Sequence, residues 1–178
     1  MTRWTTSLAD IAVGLFAGIA ATAASGVVQE ALYRSTPKRI KRQEERVRRA
    51  PSSQVAAETI AASLGRPLEE HARGSAGVAL HYGVGAAWGT VYTLLRRRGA
   101  RPLAAGLAAG ASLALIVDEG LAPALGFSAP NRAFPALTHV RGFANHLAYG
   151  AAAALTAEAV YALTGTTPGR YPARSGAR

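Results

Sequence analysis

Few side chains in this sequence can do acid–base or ligand chemistry, and most of them sit in or beside apolar runs. His81, Asp118, Glu119 and His146 are the main group, with Glu30 near the end of an earlier run. A carboxylate between two imidazoles supports three kinds of chemistry. It can form a hydrogen-bonded clasp between helices. It can hold a proton or ligand, because histidine titrates near neutrality and a neighbouring carboxylate raises its pKa. It can also ligate a metal as a His/His/carboxylate set. The metal alternative lacks two ligands at close helical spacing, since His139 and His146 are seven residues apart, on one face but two turns away. With no cysteine, disulfides, thiolate metal sites and cysteine nucleophiles are excluded. There is no Walker loop, zincin helix or nucleophile elbow. Gly83–Gly89 reads GVGAAWG, but it lies inside an apolar run with no strand before it, so it is not a dinucleotide fingerprint. No enzyme, cofactor or bound metal is expected.

Four apolar runs must position these groups, at about 8–32, 74–95, 103–125 and 137–163. Each matches or exceeds the roughly 20 residues needed to cross a bilayer core. The third is uncharged on every face from Leu103 to Val117, and a helix apolar all round is a membrane span or deeply buried. The first run could be taken for a signal peptide, with Ala21-Thr22-Ala23 as a cleavage site. Asp10 near its start and its continuation to Leu32 favour a span. Short connections make the runs antiparallel, so the predicted fold is all-α: a polytopic membrane protein built as a four-transmembrane-helix bundle, one domain over 1–163. The tail, 164–178, is rich in Gly, Pro and Arg and is expected to be disordered.

Antiparallel order then places the ionisable groups. Measured from the face that carries the 33–73 connection, here the loop face, His81, Asp118 and His146 each lie roughly 10–14 Å deep at 1.5 Å per residue. An ionisable group in a span is costly and turns inward to a partner, so these three are expected to share one hydrogen-bonded cluster. Glu30 or Glu119 should stand near its mouth. Glu119 is about 100° round the helix from Asp118, so only one of the two should face the centre.

Small residues recur at i+4 in every run: Gly14, Gly18, Thr22 and Gly26; Gly77, Gly85 and Gly89, with His81 in the same row; Gly106 and Gly110; Gly150 and Ala154. Such ridges let helices approach closely in lipid, although an Ala/Gly-rich chain also repeats small residues by chance. Gly14/Gly18 and Gly106/Gly110 are candidate surfaces for self-association. Trp88, Tyr92 and Tyr161 mark the ends of runs, as interfacial aromatics do.

The net charge is +10, and eight of the twenty basic residues fall within Arg34–Arg49 while four more fall within Arg96–Arg101. Segregation of this kind fits loops between spans rather than a nucleic-acid face. Counting twelve basic residues on the loop face against eight on the other favours a cytoplasmic loop face, whereas the dense Arg96–Arg101 loop argues for the opposite orientation. The basic stretch should be solvated and able to touch anionic headgroups. Within the connection, Ser52-Ser53 should cap a short amphipathic helix over 54–64, ended by Gly65 and Pro67.

At His81–Tyr92 (HYGVGAAWGTVY) and Asp118–Gly150 (DEGLAPALGFS, then Pro130, Pro135 and HLAYG, followed by Glu158) the sequence resembles the YagU-like family of small bacterial inner-membrane proteins, a domain of unknown function. The resemblance runs over roughly 10–163. It implies a multi-pass protein of the bacterial plasma membrane and transfers no catalytic residue. The resulting expectation is a structural or accessory membrane protein whose partners are the bilayer and possible copies of itself or another membrane protein. A proton- or cation-handling protein using the His/Asp cluster is the alternative.

Overall fold

The computed structural model describes residues 3–169, with side chains described from residue 8 onward, and the described residues are helical with no strand. The part of the tail from 170 lies outside the described residues. Helix α1 (Arg3–Ser35) leads through α2 (Lys38–Val47) and α3 (Ser52–Ser63) to α4 (Glu70–Arg97). Next comes α5 (Pro102–Ser112), which continues without a break as a π-helical segment, Leu113–Leu121, and one further turn, α6 (Ala122–Ala124). After a 3-10 turn at Asn131–Ala133, α7 (Ala136–Leu163) closes the chain. Gly65, Gly99, Gly126 and Gly165 end α3, α4, α6 and α7 with positive φ, which only glycine adopts freely.

The long helices pack antiparallel along glycine seams. On α1, Gly14 and Gly18 face Gly89, Thr90, Gly85 and Ala86 of α4 so closely that a Cβ on Gly14 would stand 2.8 Å from the Thr90 Cα. On α5, Gly106 and Gly110 meet Gly150 and the His146 backbone of α7 in the same way. Helix α1 also lies along α7, and α3 packs on α4, where Gly77 admits the Gln54 backbone. The rows considered for self-association are therefore occupied within one chain. Gly26, the last of the α1 row, meets nothing.

Inside and outside are inverted relative to a water-soluble bundle. Among the described residues, the buried core is alanine with Tyr92, Tyr149 and Tyr161, and Leu113 is its one large aliphatic side chain. Leucine, isoleucine, valine and phenylalanine stand outside, for example Leu15, Phe16, Ile19, Leu103, Leu115, Ile116 and Leu155. Two helical stretches, Leu8–Ser35 and Pro102–Ala124, are long and apolar enough to cross a membrane. Helix α4 and α7 are as long, but their Gly, His, Tyr and Arg residues make them less apolar.

Two expectations about the connection need correcting. The basic stretch forms the helix α2, whose Glu44 is buried, because Ile40, Glu44 and Val47 make a stripe that turns towards the bundle. Helix α3 starts at Ser52, but no serine side chain caps it; Pro51 is the N-cap and its carbonyl accepts from the Gln54 and Val55 amides.

Candidate functional site

Asp118 and His146 meet. His146 Nε2 lies 2.7 Å from Asp118 Oδ2, with the imidazole 15% exposed and the carboxylate 49% exposed. The geometry follows from helix direction. Side chains lean towards their own N-termini, so on antiparallel helices Asp118 reaches up and His146 reaches down to a common level.

The expected third member does not join them. His81 is exposed, packs edge-to-face on Tyr82 at 6.0 Å and makes no hydrogen bond among the described residues. It stays within electrostatic range of Asp118 and His146. Helix α4 is tied to α5 one level higher, by Trp88 Nε1–H donating to Ser112 Oγ at 3.0 Å, whereas the π-helical segment turns to α7. Depth alone placed the three residues together; the lateral direction of α4 separates them.

Glu119 also has a partner. His139 Nδ1 lies 2.7 Å from its carboxylate and His139 Nε2 lies 3.1 Å from the Asn131 carbonyl. Adjacent acids were expected to diverge, yet each takes an imidazole of α7. The π-helical geometry spaces residues differently around the axis than the α-helical 100°. Pro123 contributes to that local geometry, since it has no N–H to give to the Glu119 carbonyl. Asn131 Nδ2 donates to that carbonyl instead, at 2.9 Å. Glu30 stands apart from all of these: it is exposed on α1 and paired with Arg34 one turn on, at 2.7 Å. Among the described residues no group of three acids and histidines could hold a metal ion.

The most buried charges are ones the sequence reading did not single out. At the face opposite the loops, Asp10 is 3% exposed; it accepts from Tyr161 Oη at 2.9 Å, Arg97 Nη1 at 3.2 Å and the Gly169 amide at 3.1 Å. Glu158 accepts from Tyr92 Oη at 2.7 Å and from Arg96 Nε at 2.6 Å. Tyr92 and Tyr161 are therefore buried hydrogen-bond donors, not interfacial markers. At the loop face, Arg141 and Glu44 are both at most 4% exposed on their side chains and stand 2.9 Å apart. Thr138 donates to Glu44 and Arg141 Nη1 donates to Thr36 Oγ1. Burial raises the Glu44 carboxyl, but the hydrogen bonds from Arg141 and Thr138 and the Arg141 and Arg48 charges outweigh it and hold the group below the usual carboxylate range. A usable signal existed for the first set: an acid inside an apolar run needs a base, and Arg96 and Arg97 close the second run.

Both ends of the bundle thus carry neutralised, hydrogen-bonded charges, and the glycine seams between them bring backbones into contact. Between the ends, the Asp118–His146 pair lies open at the flank, with its carboxylate 49% exposed. No family model, curated protein or solved structure matches this chain.

Proposed function

We propose that this chain is a small four-span integral membrane protein of the bacterial plasma membrane with a structural or accessory role, in keeping with the YagU-like motifs. The observation that carries the reading is the inverted distribution of side chains. Large apolar residues are exposed along α1, α5, the π-helical segment and α7, while small residues and paired charges fill the interior. In water that arrangement would expose an apolar surface far beyond what a soluble monomer tolerates. In lipid it is the expected one, because helix association there rests on small-residue packing and polar contacts. The chain expressed in bacteria should stay in the membrane pellet after alkaline carbonate extraction. Release into the supernatant would overturn the reading. A reporter fused after Arg178 should report a non-cytoplasmic C-terminus if the loop face is cytoplasmic.

A second reading, proton handling, is favoured by one observation: Asp118 is half-exposed directly over His146, with His81 in range. Asp118→Asn separates the two. As a clasp, the pair contributes little, since interhelical polar contacts average below about 1 kcal/mol. The variant should then melt within a few degrees of the parent in detergent and behave identically in reconstituted vesicles. Loss of a pH-driven flux that the parent shows, with an unchanged melting curve, would establish the proton-handling reading instead.

A further inference from the structure

The connection between α6 and α7 is fastened through one residue. Asn131 Nδ2 donates to the Glu119 carbonyl at 2.9 Å, and the Asn131 carbonyl lies 3.1 Å from His139 Nε2. Among the described residues these are the hydrogen bonds that tie 129–134 to the π-helical segment and to α7. Its other bonds are local to the turn. The Phe134 ring stands edge-on to the His139 imidazole, with 6.3 Å between centroids, so the same histidine also seats the end of the connection.

His139 has oxygen on both sides. Nδ1 lies 2.7 Å from the Glu119 carboxylate and Nε2 faces the Asn131 carbonyl. A carbonyl oxygen only accepts, so Nε2 carries a hydrogen. The Nδ1 contact then needs a hydrogen too, on the ring or on the carboxyl group. In either form the pair holds one proton that a carboxylate beside a neutral ring lacks. Without that proton, each tautomer sets a nitrogen lone pair against an oxygen lone pair, and one of the two contacts is lost. The Asp118–His146 pair differs, because only His146 Nε2 is engaged among the described residues. A neutral ring with its hydrogen on Nε2 keeps Asp118.

The surroundings add no competing charge. Glu119 is the one charged group that acts on the His139 ring among the described residues. Asp118, beside it in the chain, is taken up by His146, and Arg141 of α7 is joined to Glu44 of α2, which also accepts from Thr138. Arg132, on the turn, is exposed. The imidazole and the carboxylate are 30% and 32% exposed, open enough to exchange protons with solvent.

We propose that Glu119, His139 and Asn131 form a proton-operated latch. With the extra proton on the acid–imidazole pair, the connection is held against the π-helical segment and α7. Loss of that proton as the pH rises releases it. The chain thus converts a change of pH at its loop face into movement of the link between α6 and α7. The latch depends on neither reading of the Asp118–His146 pair.

The chain has no cysteine, so a nitroxide attached through Arg132→Cys reports on this connection alone. Electron paramagnetic resonance of the full chain in detergent should show the label restricted at low pH and mobile at high pH. The change should occupy about two pH units, the width of a one-proton titration in the range where histidine works. Glu119→Gln should abolish the change and keep the label restricted throughout, because its amide N–H answers Nδ1 of a neutral ring. His139→Ala should leave the label mobile at every pH. Asp118→Asn should leave the transition as it is in the parent. Melting curves near that of the parent for Glu119→Gln and Asp118→Asn would show that the fold is intact in both. A parent label whose mobility does not respond to pH would overturn the proposal. So would a transition that persists in Glu119→Gln or disappears in Asp118→Asn.

Discussion

Glu44→Ala should detach α2 from the bundle and cost about 3–5 kcal/mol, the usual penalty for removing one member of a buried ion pair. The size follows from what remains. Arg141 would keep its charge at 4% exposure, with Thr36 and the face of Tyr33, 5.2 Å away, as its other partners. Most of the loss comes from that stranded guanidinium, so a second substitution should restore stability. Glu44→Leu with Arg141→Met should melt near the parent, because a pair of apolar residues carries no desolvation penalty. Limited proteolysis after Arg48 and Arg49 reads the detachment directly, and thermal melting in detergent reads the cost. A single variant as stable as the parent would mean that the pair does not hold α2. The pH dependence has a definite sign. The folded pKa of Glu44 is depressed, so its contribution is fully present above the ordinary carboxylate pKa of about 4.3 and is lost as the pH falls through the folded value. Release of α2 should therefore begin only below about pH 4, and the Leu/Met variant should not show it.

The sequence announced some of these features and concealed others for identifiable physical reasons. Helix positions were legible because runs of apolar residues with glycine and proline at their ends leave little choice of structure. The α2 stripe of Ile40, Glu44 and Val47 was equally present, but a buried acid in a basic stretch looks like part of a solvated face until its partner, 97 residues away, is known. Asp10 with Arg97 and Glu158 with Arg96 pose the same problem across 87 and 62 residues. Depth arithmetic brought Asp118 and His146 to one level correctly. It did not determine the lateral direction of His81, because antiparallel order fixes height and not rotation. The rule that adjacent residues on a helix diverge misplaced Glu119, and Pro123 four residues on was the local sign that the α-helical pattern does not hold there.

The glycine rows are the feature most legible in type and least legible in target, and they give the sharpest test of the packing. Gly83 and Gly89 both lie in α4, six residues apart. An ordinary helix propensity argument treats them alike: replacing either with alanine should stabilise the helix by about 1 kcal/mol. The fold separates them. A Cβ at Gly83 meets nothing, whereas at Gly89 it would overlap the Gly14 carbonyl oxygen and stand 2.8 Å from the Gly18 Cα. Those are backbone atoms of α1, so relief requires the two helices to move apart rather than a side chain to rotate. Gly83→Ala should therefore raise the melting temperature slightly or leave it unchanged. Gly89→Ala should lower stability by about 1–3 kcal/mol, as overpacking a close contact does. Gly89→Leu should prevent the α1–α4 seam from closing and leave a chain that aggregates in detergent and is degraded in cells. The same contrast holds on the other seam, where Gly106 faces the Gly150 carbonyl while Gly142 of α7 is open. If Gly89→Ala and Gly83→Ala melt together, the α1–α4 seam is not packed at backbone distance. The matching comparison of Gly106→Ala with Gly142→Ala then decides whether the α5–α7 seam stands without it.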